Sequence, residues 1–334
     1  MPELPEVEIV ARRATAALAG REIASIMVPG LNALRSLDPP PDALVGSRVT
    51  AMRRRGKLLL LDTDGDVLLL IHLMTGGGMT WKAGKVNPRD RAMRVIIRFA
   101  DDGEPLRIRE RGTRQAMWLR AIRREQLHGE GAEIKELAKL GPEAWWPDGD
   151  EARLPAESGT VVDHADVADG VPMAATIGAP VDDAEAPAEQ IAAALDTARP
   201  LNAMLRDQRV LAGVGRTWSD EILWAAKLSP YARGNSLTPD ERRALVHTMR
   251  DVLAEALAHY EAKVPAEPPE KLTKPVKVHG KAGEPCPSCG TKLRAVHFES
   301  HTIVYCPTEQ TGGKPLKDRR LSRLGIEDVV EDED

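Results

Sequence analysis

Leu211-Ala212-Gly213-Val214-Gly215-Arg216-Thr217-Trp218-Ser219-Asp220-Glu221-Ile222-Leu223 is the stretch on which the reading of the fold turns. Gly213-Val214-Gly215 lies between two helical stretches and predicts a tight turn that opens a helix. Glycine takes backbone conformations closed to other residues and is poorly tolerated inside a helix. The amides after such a turn, with the positive end of the helix dipole, favour an anion. Arg216 follows the turn, and a guanidinium clamps phosphate through a planar fork of donors. Helical patterning holds over residues 191–262. Leu237-Thr238-Pro239-Asp240-Glu241 marks a helix start there: Thr238 caps, Pro239 takes the first helical position and acid follows.

Upstream the pattern changes. Val7 to Leu18 has helical spacing, and after it residues 1–125 read as β-rich. Leu58-Leu59-Leu60-Leu61 and Val67-Leu68-Leu69-Leu70-Ile71 are short apolar runs separated by Thr63-Asp64-Gly65-Asp66, a strand, turn, strand signal. Arg94-Val95-Ile96-Ile97-Arg98-Phe99 and Met117-Trp118-Leu119 continue it. From Arg124 to Leu140 the reading turns helical. Residues 147–190 are rich in Ala, Asp and Pro without an aromatic residue, and are expected to be a disordered or loosely packed insertion. Pro265 to Lys281 reads as a Pro/Lys linker, residues 283–312 as a small finger, and the end from Glu327 as an acidic tail.

The chain carries a net charge of −5, but residues 147–190 contribute −10 and the tail from Glu327 contributes −6, leaving the remainder at +11. A basic body with segregated acid is compatible with nucleic-acid binding. An apolar content of 42% suffices for a core. No apolar run reaches 18 residues, so no membrane span is expected. The start lacks a basic-then-apolar signal pattern, so the protein is expected in the cytoplasm. Three cysteines, Cys286, Cys289 and Cys306, cannot form a disulfide framework, and their clustering reads as metal or redox chemistry.

The start itself, Met1-Pro2-Glu3-Leu4-Pro5-Glu6-Val7-Glu8, carries reactive groups. A Met before a small Pro is normally trimmed, which would leave a secondary amine on Pro2. An α-amino group has a pKa of roughly 7.7–8.0, so a useful fraction is unprotonated near neutral pH. Such an amine attacks carbonyl carbon and, being secondary, gives an iminium ion. Glu3 and Glu6 place carboxyl groups beside it that can move protons.

Five segments in order resemble the formamidopyrimidine-DNA glycosylase/endonuclease VIII family. They are Pro2 to Glu8, Arg53-Arg54-Arg55-Gly56-Lys57-Leu58-Leu59-Leu60-Leu61, Ile71-His72-Leu73-Met74-Thr75-Gly76, the Leu211–Leu223 stretch, and Gly283-Glu284-Pro285-Cys286-Pro287-Ser288-Cys289-Gly290 with Cys306. The resemblance implies a multidomain α+β fold. An N-terminal β-sandwich (1–125) would precede a helix–two-turn–helix unit (126–264, carrying the acidic insertion) with Trp218, Ile222 and Leu223 as its buried face. A linker and zinc-finger-like hairpin (265–312) and a tail (313–334) would follow. It implies a bacterial-type, monomeric base-excision repair enzyme acting on double-stranded DNA with a damaged base or an abasic site. Such an enzyme flips the base out of the duplex. Pro2 would then attack C1′, with Glu3 moving protons, Glu6 supporting the geometry, and Lys57 and His72 holding phosphate beside the lesion. Met74 with Arg111 or Arg114 would fill the gap left by the flipped base.

The chain departs from the family pattern at several places. Arg216 stands where the family usually has Asn, and the wedge loop Arg109–Gln115 lacks an aromatic. His301 occupies the place of a phosphate-binding Arg, and a neutral imidazole holds phosphate less tightly and in a pH-dependent way. Glu309 falls where the fourth cysteine ligand would be. Cys286, Cys289 and Cys306 would therefore need Glu309, His297 or His301 to complete a zinc site, or the hairpin would hold together without metal. These departures keep open a rival reading, a paralogue that binds damaged DNA without cutting it, and a lyase restricted to abasic sites.

Overall fold

The structure is a computed structural model that describes residues 1–112, 115–127, 134–145, 186–298 and 301–318. Helix α1 (Leu4–Leu18) begins with Pro5 in its first turn, and the Glu6 carboxylate reaches back to accept the Glu3 amide at 2.7 Å. This is half of a capping box, and it satisfies a donor that helix geometry leaves orphaned. α1 is apolar in two directions. Val7, Val10, Ala11, Ala14 and Leu18 enter the sandwich core, whereas Leu4 and Ile9 enter the helical core. The first residues of the chain are thus gripped from both sides.

Two four-stranded antiparallel sheets make the sandwich. One has the order β1 (Ile23–Met27), β6 (Met93–Phe99), β7 (Leu106–Glu110), β5 (Gly77–Thr80); the other runs β2 (Val49–Arg55), β3 (Leu58–Thr63), β4 (Val67–His72), β8 (Trp118–Arg123). The four-leucine run of β3 is buried on both faces. Leu59 and Leu61 point into the core between the sheets, and Leu58 and Leu60 pack outward with Trp118, Ile122 and Ile134. Strand side chains alternate, so double burial demands an unbroken apolar run.

The helical unit comprises α3 (Ala186–Ala194), α4 (Leu201–Arg206), α5 (Arg216–Ala225) and α6 (Pro239–Lys263). Thr238 caps α6, accepting the Glu241 amide at 3.2 Å, while Glu241 accepts the Thr238 amide at 2.7 Å. Trp218, Ile222 and Leu223 are buried in this unit. Two expectations need correction. The helical reading of 124–140 reduces, among the described residues, to a 3-10 turn at Arg124–Leu127 and a single turn α2 (Lys135–Ala138), with Gly141-Pro142 blocking extension. The stretch 147–190 is not loose throughout: its end, from Ala186, opens α3, whose alanines suit a helix and whose Ala188, Ile191 and Ala192 pack in the core. Residues 146–185 and the acidic tail from Glu327 lie outside the described residues.

Buried Arg54 joins the units, pairing with Glu8 of α1 at 2.7 Å and with Glu143. Breaking such a pair from one side costs about 3–5 kcal/mol, since it strands a buried charge. The finger consists of β9 (Arg294–Phe298), β10 (His301–Tyr305) and α7 (Pro307–Thr311). Its approach is fixed by Glu221 of α5, whose carboxylate accepts the amides of Lys277, Val278 and His279 at 2.8, 2.9 and 2.7 Å. Among the described residues no helix is long and apolar enough to cross a membrane.

Candidate active site and nucleic-acid interface

The predicted turn at Gly213-Val214-Gly215 exists, and α5 begins at the next residue. Its orphan amides already hold an anion. The Glu3 carboxylate accepts Gly215, Thr217 and Trp218 amides at 2.7, 3.1 and 3.3 Å. Glycine at 215 is what lets it approach, because a Cβ there would stand 2.5 Å from Glu3 Cδ. Gly213 has φ +109 and packs on Leu4, where a Cβ would meet Cδ1 at 2.6 Å. Both glycines are therefore required by the docking of the chain's start.

Around Glu3 a compact charged centre forms. Glu6 accepts Trp218 Nε1–H at 3.1 Å and the Tyr260 hydroxyl at 2.8 Å. Lys274 places Nζ 3.2 Å from Glu3 Oε1, 3.1 Å from Glu6 Oε2 and 3.0 Å from Thr217 Oγ1. Burial alone would raise the Glu3 carboxyl, but Lys274, Lys57 and the amides outweigh it and hold it below the usual carboxylate range. Glu6, facing Glu3, is raised mainly by burial despite Lys274. The Met1 amine beside them is lowered, first by burial and then by Lys274. Two carboxyls with affinities pushed apart, next to an amine pushed toward its free-base form, make a proton-transfer site.

Lys57, at the β2–β3 turn, is 7% exposed, and burial assisted by Lys274 and Arg206 lowers its ammonium to about 8. His72 ends β4, stacks on Trp118 at 5.7 Å, and accepts the Met74 amide on Nδ1 at 2.9 Å. Burial and nearby Lys57 lower it to about 4, so it is neutral at pH 7. With Nδ1 accepting, the proton sits on Nε2, which is then a donor. Met74 has φ 53, a conformation that costs a non-glycine residue energy and marks functional turns. It packs partly buried against both sandwich cores. Arg111 is exposed and pairs with Glu270 at 3.0 Å, a tether worth roughly 0–1 kcal/mol. Arg114 lies outside the described residues.

Arg216 is exposed at the first position of α5. His301 opens β10 and is buried against Asn202 and Arg206. Burial, with Arg206 and Arg216, lowers it to about 4, so at neutral pH it adds no charge. The positive charge near it comes from the two arginines.

Three residues of the centre escaped the sequence reading. Lys274 sits in the Pro/Lys stretch read as a spacer, where nothing distinguishes it from Lys271 or Lys277. Tyr260 falls at helical spacing from Leu253, Ala256 and Leu257 and reads as core. Arg206 ends α4 without any motif.

In the finger the three cysteine sulfurs lie within 4.8 Å of one another, with Cys289 and Cys306 3.4 Å apart. A tetrahedral zinc with bonds of about 2.3 Å needs sulfurs about 3.8 Å apart, so these three fit three of its corners. Burial would raise the Cys286 thiol, but the Cys289 amide and the Trp224 indole outweigh it and bring it to about 7. None of the three candidate fourth ligands belongs to the cluster. Glu309 pairs with Lys227 at 2.7 Å and accepts Ser288 Oγ at 3.3 Å, because Lys227 presents its ammonium from the end of α5. His301 is engaged by Asn202 and Arg206, and His297 Nδ1 faces Thr302 Oγ1 at 3.3 Å; neither belongs to the cluster.

Comparison with known proteins agrees with this architecture. Residues 1–116 match the formamidopyrimidine-DNA glycosylase N-terminal domain, and residues 178–265 match the formamidopyrimidine-DNA glycosylase H2TH domain. Both walls of the buried centre thus come from segments typical of DNA-repair glycosylases. The chain belongs to the formamidopyrimidine-DNA glycosylase family. It is 30% identical over 321 residues to the formamidopyrimidine-DNA glycosylase of Thermus thermophilus, covering 94% of this chain and 100% of that one. A formamidopyrimidine-DNA glycosylase-like protein of Mycobacterium tuberculosis is 40% identical over 124 residues, 37% of this chain and 78% of its own length. The solved Thermus thermophilus MutM (Fpg) structure superposes with a TM-score of 0.68 at 28% identity, over 94% of this chain and 100% of that one. A complex between Lactococcus lactis Fpg and DNA containing an abasic site shares the fold, with a TM-score of 0.70 at 22% identity, over 92% and 99% of the two chains.

Proposed function

We propose that this chain is a bifunctional DNA glycosylase and abasic-site lyase that removes oxidised bases from double-stranded DNA through the amine of Pro2. The observation that carries this reading is the convergence of the chain's first residues, Lys57 and the amide-lined start of α5 in one buried centre. With Met1 removed, the amine moves one residue toward Glu3.

The resting Glu3 carboxylate takes the Pro2 N–H proton as nitrogen bonds C1′ and the damaged base leaves with the glycosidic electron pair. Glu3 then returns that proton to the sugar ring oxygen as the C1′–O bond breaks and the iminium forms. Again a carboxylate, Glu3 accepts the C2′ proton, and the 3′ phosphate departs by β-elimination. Glu6 stays hydrogen-bonded to Trp218 and Tyr260 and fixes the geometry. Lys57, the Nε2–H of His72 and Arg216 hold the phosphates flanking the lesion; Arg216 does so through its guanidinium from the exposed first position of α5. Met74 with Arg111 or Arg114 serves the gap in the duplex. Cys286, Cys289 and Cys306 would hold zinc, which would brace the hairpin that carries His301.

The test is to incubate the protein with duplexes bearing defined oxidised bases or an abasic site, with and without borohydride. Strand cleavage and a borohydride-trapped covalent complex are expected. Tight binding of the same duplexes with neither product would instead assign the chain to the non-cutting binder.

A further inference from the structure

Among the described residues Lys274 is the one cation that ion-pairs with both carboxylates of the centre. It comes from the extended segment between α6 and the finger, remote in sequence from everything it contacts. Its side chain is 20% exposed, and its ammonium bridges Glu3 Oε1 and Glu6 Oε2 at 3.2 and 3.1 Å. Thr217 Oγ1 accepts a third bond at 3.0 Å, and the Trp218 ring lies 5.9 Å away. All three ammonium protons are thereby directed, which fixes a flexible side chain in one place.

We propose that Lys274 is a positioning residue for the reaction at Pro2, acting through Glu3 and Glu6, whose carboxylates it holds apart and in register with the terminal amine. The proposal rests on the reading of Pro2 as nucleophile. Two carboxylates this close to one another, buried, share a proton unless a cation separates them. Lys274 supplies that cation without touching the sugar or the base. It leaves Glu3 ionised, ready to receive the amine proton, and leaves Glu6 to accept from Trp218 and Tyr260.

The groups that face the Met1 amine are Glu3 at the N-cap of α1, Glu6 of α1, Lys57 from the β2–β3 turn and Lys274 from the linker. Tyr260 of α6 stands behind Glu6, and Arg206 of α4 acts on Lys57. Lys274 is the strongest of the charges lowering the Met1 amine, after burial itself, and in the proposal it acts in the same direction on the Pro2 amine one residue further on. A lowered amine keeps its unprotonated fraction as pH falls below the ordinary value of 8.0. Removing Lys274 raises the amine, so reaction is lost at a higher pH than in the native protein.

The experiment uses full-length protein whose Met1 is shown by intact mass to be removed, an abasic duplex, and cyanoborohydride trapping from pH 5 to 9. Lys274→Met, Lys274→Gln and Lys274→Arg are compared with native protein, and the trapped residue is mapped by peptide mass. For Met and Gln the acid limb of trapping moves up by about one pH unit, the scale of one nearby charge. Lys274→Arg keeps the native limb, and every complex maps to Pro2. A merely structural lysine would lower the amplitude without moving the limb, and that result overturns the proposal. So does a cross-link that maps to Lys274, which would make it the nucleophile. Gln retains hydrogen bonding to Glu3 and serves if the Met variant does not fold. If native protein traps no DNA at any pH, the Pro2 reading itself falls, and this proposal falls with it.

Discussion

Glu3 accepts the Gly215 amide at 2.7 Å, across 212 residues of chain. The bond makes the start of the chain a cap of α5. A carboxylate at a helix start gains from the dipole and from the orphan amides there. In the proposed mechanism chemistry and phosphate binding are built on this one turn, so a change on either side of the contact is expected to be felt on the other.

Glu3→Gln is expected to lose base excision by about 10²–10⁴-fold, the usual scale for a proton-transferring group. Binding of an uncleavable abasic analogue should change far less, because Lys57 and Arg216 remain. Melting should report a loss of about 1 kcal/mol, since the cap is weakened and not abolished. Equal losses in excision and binding would assign Glu3 a structural role alone.

Gly215→Ala places a methyl group 2.5 Å from Glu3 Cδ. Excision should drop as steeply as in Glu3→Gln, and the double variant should lose little more than either single one. Sites in contact are not additive. Excision losses that simply multiply would show that position 215 does not act through Glu3.

Arg216→Ala should weaken binding about equally for all duplex sequences and lower the magnitude of the log K against log salt slope by about 1. An unchanged slope would mean that Arg216 does not reach phosphate.

Glu309→Cys should raise zinc toward one ion per chain and slow its loss to a chelator, because a soft thiolate would replace a carboxylate engaged with Lys227. Metal analysis before and after chelation reads this directly. Full, chelator-resistant zinc in the native protein would show that Glu309, His297 or His301 completes a good site.

The sequence disclosed those parts of the molecule that depend on local pattern. The doubly buried leucines of β3, the cap at Thr238 and the glycine turn before α5 each have a short-range signature, and each is where it was expected. The three cysteines also met as their spacing implied. What stayed hidden depends on tertiary placement. Lys274 enters the centre only because Glu221 pins the adjacent backbone, and Tyr260 becomes a partner of Glu6 only because α6 lies along α1. The orientation of Glu309 was equally illegible, since it is decided by Lys227, far away in the chain. The same holds for the opposite proton affinities of Glu3 and Glu6, whose roles only the family resemblance distinguished. Their neighbouring residues look alike, and it is Lys57 with the amides of α5 on Glu3, and burial with the Glu3 charge on Glu6, that separate their affinities for a proton.

The central claim is that Pro2 is the nucleophile. Its most direct measurement is borohydride trapping on abasic DNA by native protein and by protein with a retained or tagged N-terminus, followed by mapping of the cross-linked peptide. A complex on Pro2 is expected with native protein and none with the blocked form. Equal trapping by both forms, with the cross-link on another residue, would contradict it.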